Sequence, residues 1–204
     1  LRPLSDRLRD PEAARRATLR FFTGLPRNDV EEWVARLEAT TARIEFQLAF
    51  RAFARAMDEV LPQPEALPYA DDLKWLGLVQ LAARRRLRDD TLDLNACGAK
   101  ARKLISDYVR AQGVTTLLEA PVSVFSEKFD AYVRTLASPE AQASEMKHAL
   151  THEISVRADD NPVLYRSLRE RLEEVIRATR EERLQAIEQL RRLQGVAQEL
   201  RAAT

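Results

Sequence analysis

The chain has 204 residues, 45% of them hydrophobic, so it can bury a sizeable core. Its 33 basic and 32 acidic residues leave a formal charge of +1, which argues against a chain that is basic overall and coats nucleic acid. A single cysteine, Cys97, excludes an internal disulfide framework and suits a reducing cytoplasm, and no apolar run approaches the roughly 20 residues that a membrane helix needs.

Only 5 glycines and 6% aromatics, with abundant Ala, Leu, Arg and Glu, point to helix, because straight-chain residues lose little rotamer freedom there. The opening "LRPLSDRL" carries no methionine and reads as the start of a piece cut from a longer protein. Residues 10–22 predict a helix with Asp10 as N-cap and Pro11 at the first helical position. "GLP" at 24–26 ends it, and "DVEEWVARLEA" follows with acidic residues in its first turn. Residues 41–61 place Ile44, Leu48, Phe50, Phe53, Ala54 and Met57 on one broad buried face. The three prolines of "PQPEALP", 62–68, exclude helix there.

A helix resumes over 69–87, with Leu73, Leu76, Val79 and Leu87 on one side. Another surrounds "NACGAKARKLISDYVRAQG" and ends on Gly113 as a C-terminal cap. Residues 114–125, "VTTLLEAPVSVF", have β-like composition but no pairing partner, which predicts an extended connector packed on the bundle. Ser126 caps "SEKFDAYVRTLA"; Ser138–Pro139 and Asn161–Pro162 open two further helices. Leu168, Leu172, Val175 and Thr179, then Ile187, Leu190, Leu193 and Leu200, extend an apolar stripe to the end. The expected fold is an all-α irregular multi-helix bundle, one domain over 1–204, closing in a long C-terminal helix or a helical hairpin.

The stretch "SEMKHALTHEI" is the sharpest chemical candidate. On a helix, Glu145, His148 and His152 share a face, the spacing from which helical metal sites are made. But H-E-x-x-H wants Glu directly after the first histidine, where Ala149 stands, and 2 histidines exclude a second Glu-x-x-His. Glu145-Met146-Lys147 spells the E-x-K of certain nucleases, which needs the alternation of a strand, and a helix sends the two side chains apart. The bland alternative is a packed helix with Met146, Ala149, Leu150 and Ile154 inward and the two imidazoles beside them. Arg84, Arg85, Arg86 and Arg88 are forks suited to DNA phosphate, or cations at a solvated helix end. Cys97 has no neighbouring histidine and reads as an ordinary small residue. No phosphate loop, G-x-G-x-x-G or G-x-S-x-G is present, so this domain is expected to be non-catalytic and to hold no cofactor of its own.

Three segments carry a resemblance: "EFQLAFRAFARAMDEVLPQPEALPYADDLKWLGLV", "LISDYVRAQGVTTLLEAPVSVFSEKFDAYV" and "SPEAQASEMKHALTHEISVRADDNPVLYRSLRERLEEVI". From about residue 40 to residue 180 the chain resembles the C-terminal region of the R (restriction, motor) subunit of type I restriction–modification enzymes. The resemblance implies a parent that translocates double-stranded DNA with ATP and magnesium and cuts it. It also implies a helical C-terminal part that docks on the methyltransferase and specificity subunits. No family catalytic residue falls on a position of this chain. Tyr165, Arg166 and Arg169, with Tyr69 and Trp75, are the expected partner anchors, being aromatic and arginine residues near helix starts. The alternatives are a module touching double-stranded DNA through Arg84, Arg85, Arg86 and Arg88, and a metal-binding domain using Glu145, His148 and His152. No membrane is implied.

Overall fold

The structure, a computed structural model, describes residues 4–180 and 185–203. Nine α-helices form among the described residues, and no strand does. The helices divide between two compact units. Leu1–Arg85 with Asp89–Ala120 make the first unit, and Arg86–Arg88 with Pro121–Thr204 the second.

In the first unit, α1 (Leu4–Leu19) runs straight through Pro11, so the helix begins earlier than residue 10 and position 10 is not its cap. A 3-10 turn, Arg20–Phe22, leads to α2 (Val30–Arg36), which Asp29 caps by accepting from the Glu32 amide at 3.1 Å. In α3 (Thr40–Val60) the buried face is Phe46, Phe50, Phe53, Ala54, Met57 and Val60, at steps of three and four. Ile44 and Leu48, expected on that face, are 51% and 62% exposed. The face is turned by one position because Gln47 goes inward, its amide donating to the carbonyl of Thr91. Phe46 packs edge-to-face on Phe21 and Phe22.

The proline-rich stretch is less irregular than expected. It holds a 3-10 turn at Pro64–Ala66, and α4 (Leu67–Leu87) already begins at Leu67, with Pro68 in its first turn, where no intrahelical partner is lost. Leu73, Leu76 and Val79 are fully buried as expected, while Leu87 is half-buried. The helix also buries Asp72, Gln80 and Arg85, so α4 has polar groups to satisfy inside. Gln80 donates to the carbonyl of Asp93, and Arg85 to that of Thr116, which pins the segments after α4. Gly77 lets α5 (Ala99–Ala111) approach closely: a Cβ there would lie 2.5 Å from the Ile105 side chain. As expected, Gly113 ends α5 at positive φ, its amide bonded to Arg110 and that of Val114 to Val109, a Schellman closure. The predicted connector is extended only in part, because Thr115–Leu118 forms a 3-10 turn.

The second unit holds α6 (Phe129–Arg134), α7 (Pro139–Val156), α8 (Pro162–Arg180) and α9 (Ala186–Ala202). Ser138 and Asn161 cap α7 and α8 as their sequence predicts, each accepting from an amide three residues on at 3.2 Å. Ser126 instead accepts from Lys128, one residue short of α6. Met146, Leu150, Ile154, Leu168, Leu172 and Val175 meet Leu193 and Leu200 in one core, with Val124 buried against it. α8 and α9 run antiparallel: Arg171 pairs with Glu199, whereas Thr179, two turns on, lies with Ala186 and Gln189. The segment therefore takes the hairpin form, although residues 181–184 lie outside the described residues. Ile187 is 70% exposed and leaves the expected stripe.

Candidate interaction site

The end of α4 and the residue that follows it, Arg88, carry three of the four clustered arginines inward. Arg85 donates to Thr116 within the first unit. Arg86 Nε lies 3.0 Å from Glu145 Oε2, and Arg88 Nη2 lies 3.2 Å from Glu145 Oε1 and 2.8 Å from the carbonyl oxygen of Val122, all in the second unit. Arg88 sits at φ 55, the left-handed position that glycine normally fills, while the Asp89 amide closes onto the Arg84 carbonyl. Arg84 pairs with Asp90 at 2.8 Å in an exposed contact, whereas the bonds of the other three are at least part-buried. A guanidinium bonded to protein carbonyls and a carboxylate has fewer donors left for a phosphate backbone.

Glu145 is 1% exposed and is the shared anion of two guanidiniums. Such a carboxylate is engaged as an ion-pair partner of two positive charges, which disfavour a cation beside it. His148 is buried beside it on α7, and His152, one turn on, is half-buried. Among the described residues no group of three His, Cys, Asp or Glu side chains is placed to hold a metal ion. Burial pushes the Cys97 thiol up to about 11, which keeps it protonated and unreactive at neutral pH.

The anchors expected from the sequence separate into two kinds. Tyr165 is 4% exposed and belongs to the core of the second unit, whereas Arg166 and Arg169 are exposed on α8. Tyr69 and Trp75 lie on α4 and gather other residues around them. Trp75 is 5% exposed, edge-to-face with Phe22 at 5.5 Å and Trp33 at 5.7 Å. The Trp33 indole donates to the Pro26 carbonyl at 2.9 Å, which fixes the loop carrying Arg27. Arg27 lies over the Trp75 ring, its guanidinium carbon 4.7 Å from the centroid, and Arg15 lies over Tyr69 at 5.7 Å. Both arginines converge on Asp72, which is 5% exposed: Arg15 donates through Nε and Arg27 through Nη2.

Two guanidiniums therefore share one buried carboxylate and leave one positive charge in excess. Arg27 remains 53% exposed and Arg15 30% exposed, each held against an aromatic face before any partner arrives. Neither arginine was singled out by the sequence. One signal was present: Asp72 is in register with Leu76, Val79 and Ala83, the buried side of α4, and a carboxylate there requires cationic partners.

In the second unit Asp130 accepts from both Nη1 and Nη2 of Arg201, at 3.1 and 3.0 Å, while Arg201 Nε donates to Val124 at 2.7 Å. The hydrogen bonds from Arg201 hold the Asp130 carboxyl below its usual value. A lowered folded-state pKa contributes stability above the unfolded pKa of about 3.9, and loses it as pH falls through the folded one. Asp130→Asn is accordingly expected to be less stable than the parent at pH 7. The gap should stay below about 1 kcal/mol for so exposed a pair and should close under about pH 4. Urea unfolding of both proteins between pH 7 and pH 2.5 checks this; a gap that does not shrink as pH falls below about 4 refutes it.

The fold and its sites define an all-α region organised by arginine–carboxylate clusters. The chain belongs to the family described as type I restriction enzyme HindI endonuclease subunit-like, C-terminal, whose pattern matches residues 25–204. That match is wider than the stretch from about 40 to 180 on which the sequence resemblance rests. No curated protein matches, and no solved structure does.

Proposed function

We propose that this chain is the docking module of a type I restriction endonuclease subunit, holding the motor and nuclease on the methyltransferase–specificity core. The observation that carries the reading is the Arg15–Arg27 pair: arginines stacked on Tyr69 and Trp75 and fixed by a buried carboxylate. Arginine and the aromatic residues dominate the energetics of protein interfaces, and side chains ordered in advance lose less entropy on binding. Membership of a family defined on the C-terminal region of the endonuclease subunit supports the same role. A contact to double-stranded DNA through the clustered arginines 84–86 and 88 is less favoured, because Arg85, Arg86 and Arg88 are bonded to protein acceptors.

The test is light scattering on a sizing column, with the protein mixed with the methyltransferase–specificity core of its own system. Co-elution as a complex of defined mass is the expected result. Separate elution at micromolar concentrations removes the docking role.

A further inference from the structure

We infer that the Arg15–Arg27 site takes an acidic side chain of the partner protein, an aspartate or glutamate that completes the charge balance begun by Asp72. The inference rests on the docking role and names the chemistry of one contact within it. Among the described residues Arg15 meets Asp72 through Nε and Arg27 through Nη2, so each fork keeps further N–H donors beyond that bond. Two cations and one buried anion leave a local excess of one positive charge, which one incoming carboxylate neutralises. A planar carboxylate also matches the fork bidentately, a geometry that lysine does not offer.

The surroundings favour a single carboxylate over a phosphate backbone. Asp71, next to Asp72 on α4, is 86% exposed, and Glu12, one turn before Arg15 on α1, is 47% exposed. A polyanion tracking across the site would meet both, whereas one side chain reaching Arg27 need not. Nucleic-acid surfaces present a continuing basic stripe, whereas here charges of both signs alternate, Glu12 pairing with Arg16 and Asp71 with Lys74. The stacked aromatics supply the rest of the site. Trp75 and Tyr69 hold the guanidiniums in place and desolvate one face of each, so that a new ion pair forms against an apolar floor.

Titration calorimetry of the protein against the methyltransferase–specificity core, at low and at moderate salt, tests the site with three variants. Arg27→Gln is expected to weaken binding at least tenfold at low salt, with the loss shrinking as salt screens the contact. Arg27→Lys, which keeps a charge beside Asp72, is expected to fall between the two. Lys103→Gln, whose side chain is 77% exposed on α5 and belongs to neither cluster, is expected to bind as the parent does. Unchanged melting temperatures of the two Arg27 variants would separate lost contact from lost fold. If the parent binds and Arg27→Gln binds equally well, docking stands and this site is overturned. If the parent fails to bind, docking itself falls and the inference with it. If the parent binds a duplex DNA of thirty base pairs through Arg27 but not the core, the site is a phosphate site and the inference is overturned.

Discussion

Replacing Glu145 with alanine is expected to cost about 3–5 kcal/mol of stability, the largest effect of any single substitution considered for this chain. The reason is what remains afterwards. Arg86 and Arg88 have side chains only 9% and 4% exposed, and the carboxylate between them is their shared counter-charge. Without it two guanidiniums stay in a low-dielectric interior, where neutral carbonyls such as those of Ala141 and Val122 accept from them but supply no counter-charge. Glu145→Gln should cost less, because the amide oxygen still accepts from one of them. Arg88→Gly should also cost less: Arg86 still partners Glu145, and glycine relieves the left-handed backbone at φ 55. Urea unfolding followed by circular dichroism orders the three variants. A loss below about 1 kcal/mol for Glu145→Ala would show that water or a backbone shift compensates the two cations. The experiment also bears on the chemistry of α7, since a metal-ligating glutamate freed of its role would not leave buried cations behind.

The residues that misled the sequence reading did so through surroundings that a local rule does not see, in most cases a partner far away along the chain. Ser138–Pro139 and Asn161–Pro162 could be read because cap and proline act within four residues of each other, and the structure places both caps where they were expected. Asp10–Pro11 spells nearly the same signal, yet sits inside α1; what differs is the helical segment upstream, to which a local cap rule is blind. Gln47 displaces the apolar face of α3 through a carbonyl 44 residues away, and Ile44 and Leu48 are turned outward in consequence. The run Arg84–Arg86 looks like a solvated helix end for the same reason, because its acceptors at 116, 141 and 145 lie on other segments. The aromatic half of the candidate site, Tyr69 and Trp75, was legible from residue type. Its cationic half was not, since Arg15 and Arg27 are two of many arginines until Asp72 gathers them.

Gly98→Ala is expected to destabilise the parent but to stabilise a protein that already carries Asp58→Ala. Gly98 is the N-cap of α5 and has no side chain to cap with, so the cap is supplied by α3. The Asp58 carboxylate accepts from the amides of Lys100 at 2.7 Å and Ala101 at 3.0 Å, while Lys100 returns a bond to the carbonyl of Leu61 at 2.6 Å. A Cβ on residue 98 would lie 2.0 Å from the Asp58 carboxyl carbon, so the carboxylate must swing away and surrender both bonds. Backbone conformation offers no obstacle, because φ −61 and ψ 162 suit alanine as well as glycine. The cost of Gly98→Ala is therefore bounded by the worth of the cap, about 1–2 kcal/mol, which Asp58→Ala alone should also show. Once Asp58 is gone the clash is gone, and alanine then narrows the unfolded ensemble by about 0.4–1 kcal/mol in favour of the native state. The double mutant should thus be more stable than Asp58→Ala alone, a reversal of sign that a four-member unfolding cycle reads directly. Additive losses in that cycle would mean that Gly98 is required for something other than the space occupied by Asp58.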